Sequence, residues 1–144
     1  CRLSEIHQLN RESLDFERKQ FKVKGKGQKE RPCIFSEYAK KNIINYLDSR
    51  KDNLKSLFIS RQNNRWSKKA IQDYVKITAK RSGINKNTFP HLIRHSIATN
   101  LLKSGYALEN IQLLLGHENI STTQTYAKQN LNEVQEKFES FYNK

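Results

Sequence analysis

One stretch of this chain, Ser13 to Phe35, repeats its apolar residues at every second position, while the rest repeats at three and four. Leu14 and Phe16, Phe21 and Val23, then Cys33 and Phe35 alternate with polar residues. Such alternation marks strands with one buried face. The Gly25-Lys26-Gly27-Gln28 stretch parts the last two runs and predicts a turn, so the segment reads as a small antiparallel sheet. On either side the spacing is helical. Leu3, Ile6 and Leu9 read as the end of one helix. Ser36 caps another to about Arg50, with Ile43, Ile44 and Leu47 facing inward. The fold class is therefore mainly α with a small antiparallel β-sheet, an α+β domain.

Further helices follow. Leu57-Phe58-Ile59 is too short for one and predicts a strand or a buried connector. Ser67 caps a helix with Ala70, Ile71, Tyr74, Val75 and Thr78 on one face, and Gly83 ends it. Pro90 opens the next as a first-turn residue and Gly105 closes it. Between Ile93 and Leu102 that helix is apolar nearly all round, which predicts a central, buried position. Ala107 to Leu115 forms another, stopped by Gly116. A short helix from Ser121 is expected to carry Tyr126. A last one from Leu131 puts Leu131, Val134, Phe138 and Phe141 on a stripe.

At 144 residues the chain is one domain by length. It has no Met and opens inside a helical pattern, so an excised piece of a longer protein is expected, with a domain missing upstream. Cys1 and Cys33 make no disulfide framework, and neither a secretory signal nor an 18-residue apolar span is present. A reducing cytoplasm is the expected compartment.

Charge narrows the partner. Lys and Arg number 27 against 14 Asp and Glu, which points to a polyanion. The excess sits early: seven basic residues against one acid in 61–82, but three against five in 107–144. The tail is thus expected to do something else.

Several residues could carry chemistry on a phosphate. His91 and Arg94 lie one turn apart at a helix start, where free N–H groups attract phosphate. Arg adds a planar fork of donors and a permanent charge. The plainer alternative pairs Arg94 with a buried carboxylate such as Glu5 and makes His91 a capping residue. His117 follows a helix-ending glycine, and Tyr126 follows it by nine residues. A phenol with a pKa of about 10 needs neighbouring cations before it can attack phosphorus. Lys26, between two glycines, could reach a nucleic-acid groove or simply be a solvated turn lysine. Arg2 and Glu5 could be no more than a surface ion pair.

Together these residues resemble a known family. Arg2-Leu3-Ser4-Glu5-Ile6, Lys24-Gly25-Lys26-Gly27, His91-Leu92-Ile93-Arg94-His95 and Leu114-Leu115-Gly116-His117 up to Tyr126 stand in the order found in tyrosine recombinases, the phage integrases and their Xer-type relatives. The spacings are similar too: 24 residues from Arg2 to Lys26, 23 from Arg94 to His117, nine from His117 to Tyr126. Cys1 replaces the family's usual Gly, and Ile93 its usual Leu.

The resemblance covers essentially residues 1–144 as a catalytic domain, a fragment from which the upstream core-binding domain is expected to be missing. It implies a site-specific recombinase that cleaves and rejoins DNA through a 3′-phosphotyrosyl intermediate, without metal, ATP or other cofactor. Tyr126 would be the nucleophile. Arg2 and Arg94 would clamp the non-bridging oxygens, and His117 would donate a hydrogen bond to the same phosphate. His91 would move the tyrosine proton, and Lys26 would protonate the departing 5′-oxygen. His95 would pack. Double-stranded DNA and further protomers, dimer to tetramer with the C-terminal helix docked in cis or exchanged, are the implied partners. Type IB topoisomerase-like relaxation and a catalytically idle DNA-binding relative remain alternatives.

Overall fold

The computed structural model describes residues 1–25, 30–115 and 134–140 of the chain. Helix α1 (Leu3–Gln8) leads through a 3-10 turn (Arg11–Ser13) into strands β1 (Leu14–Asp15), β2 (Gln20–Lys24) and β3 (Glu30–Ile34). Helices α2 (Glu37–Asp48), α3 (Lys68–Arg81), α4 (Pro90–Lys103) and α5 (Leu108–Leu115) follow, and residues 134–140 are helical.

The three strands form one antiparallel sheet in sequence order, with Leu14 opposite Phe21 and Phe21 opposite Cys33. β1 is shorter than its alternation suggests, because Phe16 falls in the turn to β2. Its ring still packs edge-on against Phe35, and Phe21 stacks on the same ring. Successive residues of a strand face opposite ways. Cys33 accordingly joins Leu9, Val23 and Leu57 in one core cluster, with Ile43 and Leu47 of α2 against it. Ile34 joins Val134 in another, flanked by Leu114 and Phe138. β3 is thus covered on both sides.

Local signals fix the helix ends. Ser36 Oγ accepts the Ala39 N–H at 3.2 Å, and Ser67 Oγ accepts that of Ala70 at 3.1 Å. Gly83 and Gly105 adopt φ of 76° and 82°. Each closes its helix with a Schellman pair of bonds: Ile84 to Ala79 and Gly83 to Lys80, then Tyr106 to Leu101 and Gly105 to Leu102. The end of α1 is tied by Arg65, whose guanidinium donates to the carbonyls of His7 and Leu9 and to Asn10 Oδ1.

Two expectations need correction. α4 is not buried all round: Leu101 is fully enclosed against Ile111 and Leu115, but Ile93 is 41% and Leu102 53% exposed. The helix packs along one side against α5, so an apolar circumference does not imply neighbours all round. On α3 the buried positions are Ile71 and Ala79, with Tyr74 and Thr78 outside. Tyr74 rests on the Trp66 ring instead, centroids 5.2 Å apart. Of the two readings of Leu57-Phe58-Ile59, the structure shows the buried connector, held by isolated bridges at Asn10–Ser56 and Ile59–Arg65.

The C-terminal helical residues dock on their own domain. Val134 is buried beside Ile34, and Gln135 Nε2 donates to the Arg18 carbonyl. Glu139 accepts from Lys19 Nζ at 2.8 Å and from the Glu37 N–H that opens α2. The remaining expectations for 116–133 and 141–144, including a helix carrying Tyr126 and the Leu131 and Phe141 contacts, lie outside the described residues.

Candidate functional site

Arg2 is the N-cap of α1, and Glu5 stands at its third position. That spacing turns the Glu5 carboxylate back onto the Arg2 backbone N–H, which donates to Oε2 at 2.7 Å, one arm of a capping box. The Arg2 guanidinium donates to Oε1 at 3.2 Å. This is no surface pair, since Glu5 is only 2% exposed. A second guanidinium completes the arrangement: Arg31 Nη2 lies 2.9 Å from both Glu5 oxygens.

Sequence reasoning missed Arg31, although a signal was present. Arg31 opposes Val23 in the β2–β3 register and shares a strand face with Cys33. An arginine on the inward face of a strand needs a buried acceptor. Its Nη1 donates to Cys33 Sγ at 2.7 Å. Burial pushes the Cys33 thiol up, so it is the neutral thiol that receives this bond.

Arg94 sits in the second turn of α4. Its Nη2 donates to the Leu115 carbonyl, the last of α5, at 2.6 Å. Its Nη1 is buried and has no hydrogen-bond partner among the described residues. Burial lowers the Arg94 pKa, and the neighbouring Arg2 and Arg31 charges lower it further while Glu5 opposes them. The group nonetheless stays charged at any working pH. The alternative pairing of Arg94 with Glu5 is not what forms; Arg2 and Arg31 occupy that carboxylate. Burial also pushes Glu5 up, but the Arg2 N–H and the Arg31 charge outweigh it and hold the carboxyl below its ordinary value.

The structure therefore brings Arg2 and Arg94, far apart in sequence, to one cationic cluster built on Glu5 and Arg31. His91 stands exposed in the first turn of α4, three residues before Arg94. No hydrogen bond of His91 occurs among the described residues, so a capping role is not what it performs. His95 is exposed as well, which corrects the packing role expected for it. Lys26, His117 and Tyr126 lie outside the described residues. Helix α3, which packs on α1, carries a basic surface: Lys68, Lys69, Lys76, Lys80 and Arg81 are all exposed, and its one acid, Asp73, pairs with Lys69. Among the described residues no group of three or more His, Cys, Asp or Glu could hold a metal ion, and no helix is long and apolar enough to cross a membrane.

A cluster with three guanidiniums, one carboxylate and two buried donors, Arg31 Nε and Arg94 Nη1, without a partner among the described residues is suited to an anion with several oxygens. Comparison with known proteins points the same way. The sequence profile described as the phage integrase family matches residues 1–133. The chain is 39% identical over 143 residues to tyrosine recombinase XerC of Mannheimia succiniciproducens, covering 96% of this chain and 48% of that protein. It is 34% identical over 137 residues to tyrosine recombinase XerD of Bifidobacterium longum, covering 88% of this chain and 44% of that one. The chain spans about half the length of the curated relatives it matches. Among solved structures, the XerA recombinase superposes with a TM-score of 0.75 at 31% identity over 95% of this chain and 53% of that one. XerH bound to its difH substrate superposes at 0.69 over 90% of this chain and 38% of that one, and at 20% identity shows the shared fold.

Proposed function

This chain belongs to the phage integrase family, and on that premise we propose that it is the catalytic domain of a site-specific DNA recombinase. The reaction is two successive transesterifications. The Tyr126 phenol attacks a DNA phosphodiester, its oxygen bonds to phosphorus, and the bond to the 5′-oxygen breaks. A 3′-phosphotyrosyl ester and a free 5′-hydroxyl result; attack by a 5′-hydroxyl on that ester reseals a strand and returns the phenol. The ester retains the bond energy, so rejoining needs no nucleotide.

Arg2 and Arg94 hold the two non-bridging oxygens as charge builds on the pentacoordinate phosphorus. Guanidiniums here take the part that Mg²⁺ takes in many phosphoryl-transfer enzymes. His117 donates to the same phosphate, His91 handles the tyrosine proton, and Lys26 protonates the leaving 5′-oxygen. The exposed cations of α3 and their neighbours steer and hold the duplex through its phosphates. Further copies of the chain on the DNA cleave the partner strands, whose freed 5′-hydroxyls make the resealing attack. Named recombinases among the relatives favour strand exchange over simple relaxation.

One observation carries the proposal: Arg2 of α1 contacts the buried Glu5 carboxylate, the Arg2 charge is felt at Arg94 of α4, and the Arg94 Nη1 donor is unpaired among the described residues. Incubating the chain with a nicked suicide duplex and running a denaturing gel tests it. Slowed DNA bearing protein is expected, and none with Tyr126→Phe. An unchanged mobility for the wild-type chain, or an adduct that survives Tyr126→Phe, contradicts the proposal.

A further inference from the structure

We propose that Arg31 is a positioning residue of the cleavage site, one that neutralises Glu5 so that Arg2 keeps its charge for the phosphodiester. The inference rests on the recombinase reading above. Its basis is the way one carboxylate is shared. Glu5 accepts from Arg31 at 2.9 Å on both oxygens, and from the Arg2 side chain and backbone at 3.2 and 2.7 Å. Arg31 thus takes the closer side-chain contact with Glu5.

Charge accounting gives this sharing a purpose. Among side chains, the described cluster sets three guanidiniums, Arg2, Arg31 and Arg94, against one carboxylate, Glu5, a side-chain charge of three minus one, or two. A phosphodiester carries one negative charge, and its pentacoordinate transition state approaches two. Without Arg31, Glu5 would face Arg2 alone and cancel it, leaving one net charge. A buried carboxylate beside the reacting phosphate would also repel it strongly, because screening there is weak. Glu5 has a part of its own, since an oxygen there accepts the Arg2 N–H and fixes the start of α1, a bond that a glutamine oxygen can also accept.

Arg31 is itself held in place. Val23 faces it across the sheet, and the neutral Cys33 thiol accepts its Nη1 proton. Its side chain is only 20% exposed. That enclosure suits a residue acting through Glu5 better than one touching DNA directly.

The test uses the whole chain with the suicide duplex at saturating DNA, under single-turnover conditions. Arg31→Gln is expected to cleave about 10–100-fold more slowly, with DNA affinity changed by no more than about threefold. The double variant Glu5→Gln/Arg31→Gln restores the charge balance and should regain about tenfold over the single one. Arg31→Lys keeps the charge and should stay within about tenfold of wild type. A wild-type rate for Arg31→Gln overturns the inference, as does a double variant as slow as the single one. If Arg31→Gln does not fold by circular dichroism, the double variant decides alone; cleavage as slow as Arg2→Ala then overturns it. Titration of Glu5 by carbon NMR separates this from the recombinase reading, because it needs no cleavage. In Arg31→Lys the Glu5 carboxyl should remain below its ordinary value, whereas in Arg31→Gln it should move up. Absence of adduct with the wild-type chain strikes the recombinase reading; an unmoved Glu5 in Arg31→Gln strikes this one.

Discussion

Arg94 Nη2 donates to the carbonyl oxygen of Leu115 at 2.6 Å, joining α4 to the C-terminal end of α5. The carbonyl end of a helix carries partial negative charge, so the guanidinium is both a cap and a counter-charge there. Gly116 and His117 follow Leu115 directly in sequence. One side chain therefore sets the exit of α5 while keeping Nη1 as a further buried donor.

Arg94→Ala should abolish cleavage while leaving much of the DNA binding. Losing one donor to a developing oxyanion typically lowers the rate by about 10²–10³. Single-turnover cleavage and a filter-binding titration on the same variant check the split. Arg94→Lys should recover little, since an ammonium cannot reach Leu115 and the phosphate as a planar fork does.

Glu5 makes stability depend on acid. Its folded carboxyl stands below the ordinary value because the Arg2 N–H and the Arg31 and Arg2 charges outweigh burial. For a depressed carboxyl the stabilisation is present above the unfolded value and is lost as pH falls through the folded one. Urea midpoints should therefore be flat above the ordinary carboxylate range and decline below it. Glu5→Gln should weaken that decline.

Leu101→Ala should cost about 2–5 kcal/mol, the usual range for an enclosed leucine. Leu101 is fully buried between α4 and α5, against Ile111 and Leu115. Leu102→Ala, one residue on and half exposed, should cost under about 1 kcal/mol. Chemical denaturation of both variants measures the contrast.

Glu139→Ala should loosen the C-terminal helical residues from the domain. Glu139 takes the Lys19 ammonium and the first N–H of α2, so its loss strips a helix cap and an ion pair together. About 1–2 kcal/mol of local stability is at stake. Amide exchange across residues 134–140 should speed up, while exchange in β2 and β3 stays unchanged.

What the sequence made legible was whatever local chemistry decides. Ser36 and Ser67 capped their helices, Gly83 and Gly105 closed theirs, and the alternation through Val23 and Cys33 gave the sheet its inward face. Neighbours were harder to read. The apolar circumference of α4 gave no count of the elements packed on it, and Ile93 and Leu102 emerged exposed. On α3 the inward positions are Ile71 and Ala79, and Tyr74 packs on Trp66 outside. Of the candidate site, Arg2, His91 and Arg94 stood out by type and spacing. Arg31 did not, because its meaning comes from a carboxylate on another element, brought to it only by folding.

Everything turns on a tyrosine ester at one position, and mass spectrometry of the digested adduct reads it directly. After reaction with the suicide duplex, the peptide containing Tyr126 should carry a nucleotide through its 3′-phosphate, and the released strand should begin with a 5′-hydroxyl. A nucleotide on any other residue, or a 5′-phosphate on the released strand, would contradict the account.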